Sequence, residues 1–231
     1  TRPSISAERA RLVTEFNRSA EGQDLSMPVK RAMTFRYILE HKKIVINDGE
    51  LIVGERGPSP QATPTYPERC LHSVRDLEIL HEREKIPFSS DEETRAAYTQ
   101  DIIPYWKGKT IRDRMFKELP REWQDAYQAG VFTEFMEQRP PGHTVLDDKI
   151  YSKGMLDFKR DIARSIEALD VEGDPEALDK RNALRAMDIS CDAVILFAER
   201  HADHARRLAA KTDDADRVAE LEGIAAVCDH V

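Results

Sequence analysis

DPEALDKRNALRAMDISCDAVILFAERHADHARRL, residues 174–208, is the stretch on which the fold turns. Asp174 suits an N-cap, and Pro175 suits the first helical position, where no amide hydrogen is needed. Leu184, Met187, Cys191, Ile195, Ala198, Ala202, Ala205 and Leu208 then keep one face apolar at helical spacing. The pattern predicts a helix of roughly 35 residues, unusually long for a small domain. Neighbouring segments can serve only part of so long a stripe, so further sequence is expected to pack against it.

Outward from this helix, Asp213 to about Cys228 reads as the last helix. Toward the N-terminus, Ser6–Phe16 has helical spacing through Ala10 and Val13. Pro28–His41 has it through Val29, Ala32, Met33, Arg36 and Tyr37. Ser90 with Glu93 reads as a capping box, Thr110 opens another helix, and one more begins around Pro120. Ile44-Val45-Ile46 and Leu51-Ile52-Val53 are β-branched runs joined by Asn47-Asp48-Gly49-Glu50, which predicts a hairpin. Gly57 to Pro67 carries Pro58, Pro60, Pro64 and Pro67, so it must be extended and stiff. It reads as a linker, although Thr63, Thr65 and Tyr66 would suit packing on a larger body. The expected class is mainly α with a small β-hairpin.

The chain has 231 residues, 40% hydrophobic and 34% charged, with net charge −8. These values suit a globular protein and show no basic face for nucleic acid. The longest apolar run, Ala193–Ala198, is far short of the ~20 residues that cross a bilayer. No charged-then-apolar leader opens the chain, so a cytoplasmic protein is expected, without membrane or nucleic-acid partners. Cys70, Cys191 and Cys228 lie far apart, signalling neither a disulfide framework nor zinc, and Cys191 is expected in the core. The chain opens at Thr1 without Met and stops at Val231 straight after a helical pattern. A piece of a longer protein is expected, with processing as the alternative.

Chemistry-bearing residues are densest between Phe132 and Asp148: Glu134, Glu137, Gln138, Arg139, His143, Asp147 and Asp148. Pro140-Pro141-Gly142 forces a sharp turn, with Arg139 and His143 on either side. The guanidinium fork fits a carboxylate, sulfonate or phosphate, and an imidazole can bond a substrate hydroxyl. A pocket for a small hydroxylated anion is one reading. A salt-bridged loop, with Arg139 paired to Glu134, is the other. Glu199, His201, Asp203 and His204 form a second cluster, conceivable as a metal site but expected to be a solvated helical face. Arg112-Asp113-Arg114 is expected at the surface. Neither a phosphate loop nor a GxSxG elbow is present.

Four stretches together resemble the N-terminal region of pyruvate formate-lyase-like glycyl radical enzymes. They are Gly49–Gly57 continuing through Pro64–Glu68, Asp101–Arg114, Glu134–Val145, and Tyr151–Phe158. The nearest branch is that of the hydroxyproline dehydratases, isethionate sulfite-lyases and diol dehydratases. The resemblance implies that residues 1–231 are the helical N-terminal portion of a ten-stranded α/β barrel enzyme about three times longer. It implies a radical stored on a C-terminal glycine, installed by an iron–sulfur activating enzyme that uses S-adenosylmethionine. That radical passes to a cysteine, whose thiyl takes a hydrogen atom from a small substrate before a C–O, C–S or C–N bond breaks. A homodimer of the full-length protein is also implied. Neither the glycine motif nor a Cys-x-Glu context occurs here, so no catalytic residue is expected within the segment, and alone it should be inactive. Arg139 and His143 match the part of this branch that reaches substrate, with Gln138 and Asp147 as secondary candidates that would serve equally to hold the loop. No metal or cofactor is expected to bind this segment. Pyruvate formate-lyase proper and a standalone helical interaction module are the alternatives.

Overall fold

The computed structural model describes residues 2–131 and 146–231. In chain order its elements are β1 (Ser4–Ser6), α1 (Glu8–Arg18), a 3-10 turn (Ala20–Gly22), α2 (Met27–His41), β2 (Ala62–Pro64), α3 (Val74–Glu82), α4 (Glu92–Ala97), a π-turn (Tyr98–Ile102), α5 (Ile103–Trp106), α6 (Ile111–Glu118), α7 (Arg121–Gln128), a second 3-10 turn (Asp147–Tyr151), α8 (Met155–Glu167), α9 (Ala177–Ala209) and α10 (Ala215–Asp229). The mainly helical expectation is met. The described residues fall into two compact units, one within Thr1–Thr14 and Gln61–Thr144, the other within Glu15–Pro60 and Val145–Val231.

In the first unit the stiff proline segment becomes a strand. β2 runs parallel to β1, with Ser4 opposite Ala62, Ile5 opposite Thr63 and Ser6 opposite Pro64. Proline lacks a ladder donor, which is tolerable at the edge of so small a sheet. On its other side β1 meets Ser89: Ile5 N–H donates to the Ser89 carbonyl at 2.8 Å, and Ser89 N–H to that of Pro3 at 2.8 Å. Arg9 holds the end of β2 to α1 by a forked bond to Glu68 (2.6 and 3.2 Å) and a third to the Thr65 carbonyl at 3.0 Å. The buried Trp106 indole N–H donates to the buried Thr14 hydroxyl at 2.8 Å. α6 starts where expected, on a reciprocal box between Thr110 and Asp113. α4 does not start on Ser90 and Glu93. Its cap is Asp91, whose carboxylate accepts from Thr94 N–H at 2.7 Å. Ser90 is instead buried and accepts from Arg95. A carboxylate at the positive end of a helix outcompetes the neighbouring hydroxyl.

In the second unit α9 packs against α2, α8 and α10. At 33 residues it matches the expected length, although it starts at Ala177. Asp174 caps the preceding turn through Glu176 N–H at 2.9 Å and pairs with Lys180. Small residues on one face, Ala202, Ala205 and Ala209, let α10 approach and bury Leu221, Ile224 and Ala225 against them. Lys159 on α8 bonds both Asp188 and Asp192 on α9, at 2.6 and 2.8 Å, acids one turn apart. Between Asn182 and Ala198, Ala193 is buried, Arg185 and Met187 are exposed and the rest are half-buried.

The hairpin expected over 44–53 does not form, and the described strands are the parallel pair in the first unit. Its turn is present: Gly49 takes φ +71°, and Glu50 N–H donates to the Asn47 carbonyl at 3.1 Å. The flanks pair with side chains instead of with each other. Ile46 is buried in the α9–α10 cluster, with Val53 packed against it. Arg217 takes the Asn47 and Glu50 carbonyls at 2.9 and 3.1 Å, and Lys42 takes those of Glu55 and Arg56. Burying two aliphatic side chains, together with charge-assisted bonds, outweighs a ladder of two short strands.

Candidate functional site

Arg139, His143 and Gln138 lie outside the described residues, as do Glu134 and Glu137. The described flanks begin on one side with α7, which ends on an aromatic cluster. Phe116 and Tyr127 meet edge-on at 5.1 Å, and Trp123 stacks parallel to Tyr127 at 6.0 Å. Arg112, expected at the surface, is half-buried there. Its guanidinium lies 4.4 Å from the Phe116 ring centre and donates to the Tyr127 hydroxyl at 3.0 Å. Planar stacking on the rings accounts for the difference. On the other flank, Asp147 is exposed and opens the second 3-10 turn at φ +54°. An exposed carboxylate beside a turn fits either of the roles expected of it.

Among the described residues, no group of three or more His, Cys, Asp or Glu is placed to hold a metal. The cluster at 199–204 is split by burial. Glu199 and Asp203 are exposed and His204 is half-buried, but His201 is only 3% exposed, a correction to the solvated face expected. His201 shares its side of α9 with Phe197 and Ala205, four residues away in each direction. Its Nδ1 is 2.8 Å from the Phe197 carbonyl, and its ring stands edge-on to Phe197 at 4.4 Å. Burial, with the Lys42 and Arg200 charges adding to it, holds its pKa below the ordinary histidine value.

None of the three cysteines precedes an x-Glu pair, and all are half-buried. Cys228 packs beside the α9–α10 cluster, and burial pushes its thiol and that of Cys191 upward. In the first unit the fully buried Tyr98 phenol is pushed up to about 12, chiefly by burial. It begins the π-turn and serves as a core residue.

The pyruvate formate lyase-like family model matches residues 1–231, the whole chain. The chain belongs to that family. Within it, the trans-4-hydroxy-L-proline dehydratase of Clostridioides difficile is 47% identical over 229 residues, 99% of this chain and 29% of the relative. The crystal structure of that hydroxyproline dehydratase with trans-4-hydroxy-L-proline bound superimposes at a TM-score of 0.92, covering 99% of this chain and 29% of the other. The isethionate sulfite-lyase of Nitratidesulfovibrio vulgaris is 33% identical over 99% of this chain and 28% of its own length. A glycyl radical enzyme from Archaeoglobus fulgidus matches at a TM-score of 0.86 and 31% identity, over 99% of this chain and 29% of that one. The chain thus spans under a third of the length of these relatives. Among the described residues, no helix is long and apolar enough to cross a membrane.

Proposed function

We propose that this chain is the N-terminal helical portion of a glycyl radical lyase or dehydratase acting on a small hydroxylated anion. The observation that carries the reading is the match to hydroxyproline dehydratase, 47% identical and closely superimposable along 99% of the chain. A second, more distant match to a sulfonate lyase supports an anionic substrate class, carboxylate or sulfonate. In the complete enzyme the radical would supply hydrogen-atom abstraction from the substrate carbon, installed by a separate S-adenosylmethionine-dependent activating enzyme. That chemistry belongs to residues beyond this chain.

The contribution of this chain would be to binding. Arg139 would grip the substrate carboxylate or sulfonate with its fork, and His143 would orient the hydroxyl that departs. Gln138 and Asp147 would hold the loop or add a bond. The complete enzyme would be homodimeric and cytoplasmic.

The test is turnover by the full-length protein after anaerobic activation, with trans-4-hydroxy-L-proline, isethionate and glycerol supplied in turn. The proposal expects an anionic substrate to be used. It also expects Arg139→Ala to raise its KM more than tenfold, since one charge-assisted bond is worth ~1.5–3 kcal/mol. Turnover of glycerol alone, or an Arg139→Ala variant with unchanged kcat and KM, would contradict it.

A further inference from the structure

The segment after α2 is strapped to the helices by cations on backbone oxygens. Lys42, itself buried, donates to the carbonyls of Glu55 and Arg56. Arg200 of α9 donates to those of Leu39 and Lys42. Arg217 of α10 donates to those of Asn47 and Glu50. His201 sits at the same junction, and Phe197 joins it to the Lys42 ammonium, which lies 5.2 Å from that ring's centre. The fixed cations acting on the imidazole are therefore Lys42, from the end of α2, and Arg200, from α9. Its half-buried neighbour His204 feels Lys43, Arg207 and Lys211 as well. Glu50 supplies the opposing charge from the strap, but its carboxylate is already engaged by the Asn47 amides, at 2.7 and 3.0 Å.

We propose that residues 42–56 form an acid-releasable strap, with His201 as the group whose protonation lets it go. A third positive charge in this junction would be buried beside two that cannot leave without breaking their carbonyl bonds. Opening the strap frees Lys42 from the Glu55 and Arg56 carbonyls and lets it turn away from the imidazole. The opening would also lift Ile46 and Val53 off Ala202, Ala205 and Leu221, uncovering apolar surface on α9 and α10.

The sign follows from the closed state holding the imidazole neutral. Above the ordinary histidine value of ~6.5 both states are neutral and the strap keeps its full stability. As pH falls below that value, the open state takes up a proton first and closure weakens. Below the depressed value of the closed state, the loss levels off.

Exchange mass spectrometry of the intact protein tests this, reading amide protection and histidine C2 exchange together. Between about pH 7.5 and pH 5, protection of residues 44–53 should fall about tenfold after correction for intrinsic rates, while amides of α10 hold. The fall should begin near the ordinary histidine value of ~6.5 and level off where His201 of the native protein titrates, and His201→Gln should remove it. The proposal is overturned by unchanged protection on acidification, by an equal fall in His201→Gln, or by loss of protection throughout the unit together. Should His201→Gln not fold, the native profile decides: a release that keeps growing below the pH at which His201 itself titrates would assign it to another group and overturn the proposal.

Discussion

Replacing Arg217 by Met keeps the aliphatic stem and removes the fork that holds the turn at Asn47–Glu50. Two bonds are lost, to the Asn47 carbonyl at 2.9 Å and the Glu50 carbonyl at 3.1 Å. A hydrogen bond to a charged group contributes ~1.5–3 kcal/mol, but both acceptor residues are half-buried, so water recovers part of the loss. The expected cost is about 2 kcal/mol. Arg217 also pairs with Glu220 at 2.7 Å, a helical i,i+3 contact on an exposed side, worth under ~0.5 kcal/mol. Glu220→Gln should therefore be nearly neutral, which separates the two contributions. Arg217→Lys should fall between, because one ammonium cannot reproduce the planar fork. Native-state amide exchange over residues 47–53 at neutral pH reads the local cost. A loss below ~0.5 kcal/mol in Arg217→Met would refute the argument that these bonds replace a strand ladder. So would equal effects of the Met and Glu220 changes.

Trp106→Phe removes the buried bond to Thr14 while keeping most of the ring's bulk, and should cost about 1–2 kcal/mol in urea titration of the first unit. Thr110→Ala breaks a reciprocal cap at a buried position and should cost ~1 kcal/mol, with Thr110→Ser restoring most of it. Asp91 is held below the usual carboxylate range, first by the Thr94 amide and then by the Thr94 hydroxyl. Its contribution to α4 is present above the ordinary Asp value of ~3.9 and is lost as pH falls through the depressed one. Asp91→Asn should keep the cap but flatten that acid dependence, as read by exchange at Thr94.

Local signals in the sequence were reliable where the cause was local. Thr110 with Asp113, Pro28 in the first turn of α2 and the length of α9 all reappear in the structure, because each depends on neighbours within a turn or two. The turn at Asn47–Glu50 was legible for the same reason. The absence of a ladder beside it was not, because Arg217 and Lys42 decide it and Arg217 is far along the chain. Parallel pairing of Ser4–Ser6 with Ala62–Pro64 likewise joins distant segments, one of them disguised by prolines. The charged neighbours of His201 along the chain point it to solvent, yet it is buried. Its four-residue spacing from Phe197 and Ala205 was the available signal for burial. Of the candidate site, Asp147 alone falls among the described residues. Arg139 and His143, on either side of Pro140-Pro141-Gly142, lie outside them.

The lyase reading stands or falls on the protein that carries this chain, isolated anaerobically from its source and weighed intact. The prediction is a mass roughly three times the 26.4 kDa of these residues, in line with relatives of which they span 29%, with the remainder containing a Cys-x-Glu loop and a C-terminal glycine motif. A mass of 26.4 kDa would leave no room for that chemistry and would contradict the proposal, turning attention to a helical interaction module.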